Sequence, residues 1–328
     1  MKAVRIIIAV AMATALSWAA AMPRLHAQAN GGRPYKVEPG PFKVQTIKEL
    51  VLEDAKRGKD LQLRINYPDG KGPFPLVVWS HGAWGTKDNY LVLTEHWASH
   101  GYVTIQANHS DSRALGRSLR DRTVFQDWQS RPADISFILD SLDEIEKKTP
   151  ALKGKIDREH IGVGGHSFGA NTAQLIGGAR AYLLTGEKSF EDKRVAAVML
   201  LSGQGPGEML TEKSWQHVSR PMLVMTGSED GPTRTGQPAE WRTKPYELSP
   251  PGDKYLVWVE GLDHGYGGIS GVNFSGRNKV NEDHVNYTKI VTLAFWDAYL
   301  KGYRKALDYL RSPALHGFSK GAAEIKHK

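Results

Sequence analysis

Short apolar runs alternate along the chain with longer segments in which apolar residues recur at helical spacing. Six of these runs are rich in β-branched or other apolar residues and are bounded by turn-forming residues, as is typical of buried strands. They occupy 74–80, 102–108, 160–165, 195–202, 221–227 and 254–261. The two segments before them, TIKELVLEDA and DLQLRINYPDG, predict an antiparallel pair at a sheet edge. The alternation predicts an α/β fold with a mainly parallel central sheet.

Helices are expected between these strands, near 88–100, 132–147, 168–183 and 284–310. The second shows its start plainly, with Pro132 at the first helical position, Asp134 in the first turn and lysines at the end. Proline lacks the N–H that would stay unpaired at a helix start, an aspartate is favourable near the positive end of the helix dipole, and lysines are favourable near its negative end. No linker interrupts the pattern, so residues 30–328 are predicted to form a single domain.

The first 29 residues have a different character. Lys2 and Arg5 precede an apolar stretch that reaches about Met22, and the small-x-small sequence AQA ends at Ala29. This is the pattern of a secretory signal peptide, and the apolar run is short and Ala-rich for a membrane span. We therefore expect residues 1–29 to be removed, which leaves a secreted or periplasmic protein without a stable membrane span.

Charge and cysteine content exclude several classes of function. Lysine and arginine number 43 against 35 aspartates and glutamates, a mild and scattered excess that predicts no nucleic-acid partner. The absence of cysteine excludes disulfides and cysteine-ligated metals. His96 and His100 have the spacing of a zinc pair, but the glutamate that completes a zinc-protease motif is missing. Neither a cofactor nor a metal is expected.

The sequence GHSFG places Ser167 between Gly165 and Gly169, directly after the run at 160–165. A helical pattern begins just behind it, so Ser167 stands at a turn from strand to helix. A nucleophile on so sharp a turn has a strained backbone, and side chains two residues before and after it would crowd the neighbouring strand and helix. The motif therefore favours a nucleophile elbow, and a glycine-rich turn with a helix-capping serine is the alternative.

An acid and a histidine follow two later strand ends. Asp230 comes after the run at 221–227, and His264 comes after the run at 254–261. Serine, acid and histidine thus stand in the order expected of α/β-hydrolases. A neutral His264 would take the proton of the serine, and Asp230 would fix its tautomer. Glu229 is the rival acid, but its side chain would point to the other side of a strand-like segment.

A tetrahedral oxyanion needs two preorganised donors. The run at 74–80 is followed by a His-Gly turn, where these folds contribute one backbone N–H, and the residue after the nucleophile contributes the other. We assign the amides of Ala83 and Phe168. Two aromatic side chains beside the proposed positions, Trp84 and Tyr266, are candidates for lining a substrate pocket.

Four segments of the chain resemble bacterial α/β-hydrolases related to platelet-activating-factor acetylhydrolase and dienelactone hydrolase. They are WSHGAWGTKDNYLVLTEHWASHGYVTIQANHSDS, RPADISFILDSL, IGVGGHSFGANTA and TLAFWDAYLKG. The resemblance covers about 45–302. The resemblance implies the α/β-hydrolase fold, with helices on both faces of the sheet, and a cofactor-free serine esterase. It also implies Ser167, His264 and an acid as a triad, with the amides of Ala83 and Phe168 as the oxyanion hole.

The chain departs from both relatives. In the acetylhydrolases the acid follows the strand just after the elbow, whereas here that strand ends in LSGQ without a carboxylate, so the acid moves to Asp230, one strand later. Dienelactone hydrolases use a cysteine nucleophile, which this chain lacks. Neither family's substrate is therefore carried over.

The resulting hypothesis is a serine hydrolase that cleaves a small-molecule, lipid or polymeric carboxylic ester through an acyl-enzyme. A serine peptidase or an acyltransferase on the same fold is the first alternative, because the motifs do not separate esters from amides. A non-catalytic binding protein on a hydrolase scaffold is the second, and it is disfavoured because every chemical position is filled.

Overall fold

The computed structural model describes residues 33–118, 120, 126, 128–231, 236–271 and 280–328, so the expected signal peptide at 1–29 lies outside the described residues. The strands have the following bounds: β1 Val44–Asp54, β2 Lys59–Pro68, β3 Phe74–Ser80, β4 Val103–Ala107, β5 Ile156–His166, β6 Arg180–Leu183, β7 Gly186–Ser189, β8 Val195–Leu201, β9 Met222–Glu229, β10 Lys254–Asp263 and β11 Ala323–His327.

Within the described residues, nine strands form one sheet in the order β1-β2-β4-β3-β5-β8-β9-β10-β11. The six strands from β4 to β10 in this order pair in parallel, as expected of buried strands linked by crossover helices. At one edge β1 pairs antiparallel with β2, which confirms the predicted edge pair. At the other edge β11, which the sequence pattern did not predict, runs antiparallel to β10.

The helices are α1 Leu91–Ser99, α2 Ser130–Asp140, α3 Leu142–Lys148, α4 Phe168–Ile176, α5 Lys244–Leu248, α6 Glu282–Leu300, α7 Arg304–Leu310 and α8 Ala314–Phe318. In the described part of the chain, no helix is long and apolar enough to cross a bilayer.

Three helix predictions were wrong in extent. The helix expected at 132–147 is interrupted at Ser141, and the one expected at 284–310 is interrupted near Gly302, which has a φ of 67°. The helix expected at 168–183 ends at Ile176, because Gly178 takes a φ of 110° that a helix does not tolerate. The residues that follow form the hairpin of β6 and β7 instead.

Apolar side chains fill a core on each face of the sheet. Along β3, Leu76 and Val78 point into the core that packs on α2 and α4, whereas Val77 and Trp79 point into the core that packs on α1 and α6. This alternation is the two-residue period of a strand that is buried on both faces. The sheet therefore has helices on both sides, as an α/β-hydrolase does.

A buried carboxylate ties the start of the described chain to α6. The Asp297 carboxylate, fully buried, accepts hydrogen bonds from the Tyr35 hydroxyl at 2.7 Å, from Lys36 Nζ at 2.6 Å and from the Tyr102 hydroxyl at 2.7 Å. Burial by itself raises the pKa of Asp297, but Lys301 and these donors outweigh it and lower that pKa. The described segment before β1, residues 33–43, which we call the leader, is thus anchored to α6.

Candidate active site

The turn between β5 and α4 is tight and strained. Ser167 has a φ of 56° and a ψ of −115°, an uncommon conformation for a residue with a side chain. A β-carbon at Gly165 would lie 2.3 Å from the Gly169 carbonyl oxygen, and one at Gly169 would lie 2.0 Å from the carbonyl oxygen of Ser80 in β3. Only glycine fits at either position, and the close approach of β3 to α4 follows from it.

Three side chains from different strand ends meet at this turn. The Nε2 atom of His264 lies 3.0 Å from Ser167 Oγ, and its Nδ1 atom lies 2.6 Å from Asp230 Oδ1. Asp230 is fully buried, whereas the His264 side chain is about a third exposed. We call Ser167, His264 and Asp230 the elbow triplet. The three residues follow β5, β10 and β9 at the carboxyl ends of the parallel strands, where ligands bind in open α/β sheets.

The Asp230 carboxylate is held by a set of donors. Its Oδ2 atom accepts hydrogen bonds from Ser202 Oγ at 2.6 Å and from Thr226 Oγ1 at 2.8 Å. Burial alone raises the pKa of Asp230, but Arg242 and His264 outweigh it and lower the pKa to about 2. The carboxylate is therefore ionised at neutral pH. The rival acid, Glu229, is exposed at the end of β9, and the structure does not bring it to His264.

Ser202 stands directly after β8. In the acetylhydrolases that this chain resembles, the acid follows the corresponding strand. It supplies a hydroxyl to the Asp230 carboxylate instead of a carboxylate of its own. The Tyr266 hydroxyl accepts from the Ser202 N–H at 2.8 Å and donates to the Met225 carbonyl at 2.6 Å. Tyr266 is thus buried beneath the elbow triplet, where it ties together the ends of β8 and β9.

Arg242 is the main residue at this site that the sequence analysis missed. It lies in the 3-10 turn Ala239–Thr243 and is only 5% exposed. Its Nε donates to the Asp230 carbonyl at 2.6 Å, its Nη1 donates to the Ser202 carbonyl at 2.9 Å, and its Nη2 lies 3.3 Å from His264 Nδ1. No local sequence signal marks it, because these contacts depend on how a long loop folds back over the strand ends.

The loop after β3 is fixed by a buried ion pair. The guanidinium of Arg131 binds the Asp111 carboxylate through two bonds of 2.9 and 2.7 Å and donates to the His81 carbonyl at 2.7 Å. Asp111 in turn accepts from the Trp84 N–H at 3.0 Å. Burial raises the pKa of Asp111, but Arg131 outweighs it and holds that pKa below its usual range. The Trp84 amide is thus engaged by Asp111, and the oxyanion role expected of the Ala83 amide stays a prediction.

The second expected oxyanion donor lies at a helix start. Phe168 is the first residue of α4, whose N-terminal N–H groups and positive dipole end are directed toward the region of Ser167. The Arg131 guanidinium stacks over the Phe168 ring at 4.4 Å, so one cation contacts both the loop after β3 and the start of α4.

Behind that loop lies a further serine, histidine and aspartate, Ser80, His109 and Asp134, which we call the buried triplet. Ser80 Oγ is 2.9 Å from His109 Nε2, and His109 Nδ1 is 2.8 Å from Asp134 Oδ2. All three side chains are fully buried. His109 supports the loop from behind, since its backbone N–H also donates to His81 Nε2 at 3.2 Å.

The remaining candidates from the sequence are two aromatic residues beside the site and a pair of histidines in α1. Trp84 is 8% exposed with a φ of 57°, and a role for Trp84 or Tyr266 in lining a substrate pocket stays a prediction. The rings of His96 and His100 meet edge to face with centroids 4.7 Å apart, and burial lowers the pKa of His96 to about 3. Among the described residues, no group of three or more histidine, aspartate or glutamate side chains is arranged to hold a metal ion.

Comparison with known proteins agrees with this architecture. A solved ferulic acid esterase from Streptomyces cinnamoneus superposes with a TM-score of 0.61 at 18% identity, over 87% of this chain and 96% of the esterase, which is a likeness of fold. Together with the sheet order and the sharp turn at Ser167, it shows that the chain has the α/β-hydrolase fold.

Two sequence comparisons match parts of the chain to esterase-related proteins. Residues 53–138 match the family described as platelet-activating factor acetylhydrolase, isoform II. The chain is also 24% identical over 202 residues to cutinase est2 of Thermobifida alba, a match that covers 61% of this chain and 56% of the cutinase. The chain is therefore similar to the platelet-activating factor acetylhydrolases over residues 53–138 and to a bacterial cutinase over 202 residues, in agreement with the resemblance seen in the sequence.

Proposed function

We propose that the protein is a serine hydrolase that cleaves carboxylic esters through an acyl-enzyme. The observation that carries the proposal is the hydrogen-bonded elbow triplet, with Oγ of a strained serine 3.0 Å from an imidazole that is itself 2.6 Å from a buried carboxylate. The names of the relatives support the ester as substrate, since one is a cutinase and another is a ferulic acid esterase.

The proposed reaction has two stages, formation of the acyl-enzyme and its hydrolysis. Ser167 Oγ attacks the ester carbonyl carbon while His264 Nε2 takes the hydroxyl proton, and Asp230 holds the imidazole in the required tautomer. The amides of Ala83 and Phe168 stabilise the oxyanion of the tetrahedral intermediate. His264 then gives the proton to the leaving alcohol, which departs from the acyl-enzyme. A water molecule repeats the attack, releases the carboxylic acid and restores the serine.

We propose that residues 30–328 form one catalytic domain that works outside the cytoplasm after removal of residues 1–29. The reaction needs neither a metal nor a cofactor, because the nucleophile, the base and the oxyanion donors are all supplied by the chain.

Hydrolysis of a p-nitrophenyl ester series from acetate to palmitate, by the mature protein and by Ser167→Ala, tests the proposal. We expect turnover by the wild-type protein and its loss in the folded variant, and the best chain length then sizes the acyl pocket. Equal turnover by the variant contradicts the assignment of Ser167.

If the folded wild-type protein hydrolyses none of these esters, the peptidase and acyltransferase alternatives replace the esterase. Amide substrates and added alcohol acceptors then separate the two. Covalent labelling of Ser167 by a fluorophosphonate would reject the non-catalytic alternative whatever the substrate.

A further inference from the structure

We infer that Arg242 is a positioning residue of the elbow triplet, and that its charge disfavours the protonated form of His264 so that hydrolysis extends to lower pH. The inference rests on the proposed roles of Ser167, His264 and Asp230. It concerns a residue that neither the motif nor the comparisons mark.

The Arg242 guanidinium is held rigidly by the main chain. Two of its nitrogens donate to main-chain carbonyls, Nε to Asp230 at 2.6 Å and Nη1 to Ser202 at 2.9 Å. These two carbonyls follow the ends of β9 and β8, so the cation is fixed by the sheet itself. With only 5% of the residue exposed, water screens its charge poorly.

The contact between Arg242 and His264 depends on which ring nitrogen of His264 carries the proton. For Nε2 to accept the proton of Ser167, the neutral imidazole must carry its own proton on Nδ1 and donate it to Asp230 Oδ1, 2.6 Å away. Arg242 Nη2 carries only donor hydrogens, so its approach to Nδ1 at 3.3 Å is not a hydrogen bond in that state. It is a contact between a fixed cation and an imidazole N–H.

The contact penalises one protonation state more than the other. Beside a neutral imidazole the guanidinium meets a small partial charge, but once Nε2 is also protonated two cations lie in contact. Like charges at this separation oppose ionisation of the second group. Asp230 attracts both cations, and its Oδ1 atom is shared between His264 and Arg242 Nε, which lies 3.1 Å away.

The other groups facing His264 among the described residues do not reverse this balance. The ring of His166, at the end of β5, lies 4.6 Å from the His264 ring between centroids, and burial lowers its pKa so that it stays neutral. Burial raises the pKa of Tyr266, which also stays neutral. Asp263 accepts from the Gly265 N–H at 2.9 Å. The charged partners of the ring in this set are therefore Asp230 and Arg242, which both lie at Nδ1.

The test is the pH dependence of kcat/KM on a soluble acetate ester, followed by acid release. Two variants without the charge are compared, Arg242→Gln, which keeps a donor, and Arg242→Met, which keeps the methylene stem. We expect the acid limb of both to move to higher pH by about one unit, because the imidazole is then protonated more easily. Arg242→Lys, which keeps the charge, is expected to retain the wild-type limb.

Arg220→Met is the matched control. Arg220 also donates to main-chain carbonyls near β8, those of Val195 and Asp192, and pairs with Glu191 at 2.6 Å, but it does not contact the elbow triplet. Its loss should lower stability and leave the acid limb in place. An unchanged acid limb in both folded charge-free variants of Arg242 would overturn the inference and leave a structural role only.

A second readout does not need catalysis. The Nδ1 proton of His264, bonded to Asp230, is expected to give a downfield proton resonance whose pH titration can be followed by NMR in wild-type and variant proteins. If no ester is hydrolysed but the titration midpoint still moves upward in Arg242→Gln, the proposed function fails and the role of Arg242 stands. If esters are hydrolysed and the midpoint does not move, the reverse holds.

Discussion

The elbow triplet and the buried triplet share the same hydrogen-bond arrangement. In each, a serine hydroxyl lies within 3.0 Å of a histidine Nε2, and the Nδ1 atom of that histidine lies within 2.8 Å of an aspartate. The surroundings differ. The serine of the buried triplet is the last residue of the regular strand β3 and is fully buried, whereas Ser167 stands on a strained turn at the start of α4.

The difference shows that a hydrogen-bonded serine, histidine and aspartate do not by themselves define a catalytic site. The histidine of the elbow triplet is about a third exposed, so a substrate can reach it, while the buried triplet is fully enclosed. Burial lowers the pKa of His109, and its aspartate is bonded to Arg57 and Lys59. The same arrangement supports a loop in the buried triplet and is proposed to serve chemistry in the elbow triplet, which differs from it in its access to solvent and in the helix-terminal N–H groups beside it.

The largest expected effect separates the two serines. Ser167→Ala should lower turnover by about 10⁵- to 10⁶-fold, because the nucleophile is lost and only binding and oxyanion stabilisation remain. Ser80→Ala should retain turnover within about tenfold, since it removes only the hydrogen bonds of Ser80 Oγ to His109 and Arg131 behind the loop. Ester hydrolysis by the two folded variants measures the contrast. Similar losses in both would mean that the buried triplet takes part in the chemistry.

The next effect concerns the acid of the elbow triplet. Asp230→Asn should lower kcat by about 10⁴-fold, because an amide favours the wrong tautomer of His264. Its neighbour Glu229 is exposed, so Glu229→Gln should change kcat by less than about twofold. Steady-state kinetics on the same ester compares them, and a larger loss in Glu229→Gln would reassign the acid.

A smaller effect is expected at the ion pair that fixes the loop after β3. Arg131→Met leaves the Asp111 carboxylate buried without its partner and should lower the free energy of unfolding by about 3–5 kcal/mol. The double variant Arg131→Met/Asp111→Leu should recover most of that loss, because no buried charge is left unpaired. Urea unfolding gives both values; a double variant less stable than the single one would contradict the explanation.

The smallest effect is a pH dependence in the buried triplet. Burial raises the pKa of Asp134, but His109 and Lys59 outweigh it and lower the pKa to about 2. A lowered pKa contributes stability above the unfolded value of about 4, and this is lost as the pH falls toward 2, for about 2 kcal/mol in all. Wild type should therefore lose more stability than Asp134→Asn between pH 7 and pH 2 in urea unfolding. Parallel losses would show that Asp134 makes no such contribution.

Much of the sheet follows from the sequence, because strands buried on both faces are continuous apolar runs bounded by turn formers. The serine, the acid and the histidine were placed at three strand ends by the same pattern, and the structure brings their side chains together. The hairpin of β6 and β7 was missed because its first residues continue the apolar spacing of α4, and only the conformation of Gly178 ends the helix.

The charged side chains that fix the site were not predictable. Arg131 reaches Asp111 from 20 positions away, and Arg242 reaches His264 from 22. Both separations are far longer than the two- to four-residue spacings that relate neighbours on one strand or helix, so no local pattern reports such contacts. Their positions depend on the packing of α2 on the sheet and on the path of the loop after β9.

The anchoring of the leader on Asp297 has a consequence for the order in which the molecule is completed. Tyr35 and Asp297 are 262 positions apart, so a chain leaving the ribosome presents its leader long before the partner exists. Any product terminated before α6 lacks this anchor, even when most of the parallel strands are already present. The leader is therefore secured only after α6 has been synthesised, which makes its docking a late event in the biogenesis of this protein.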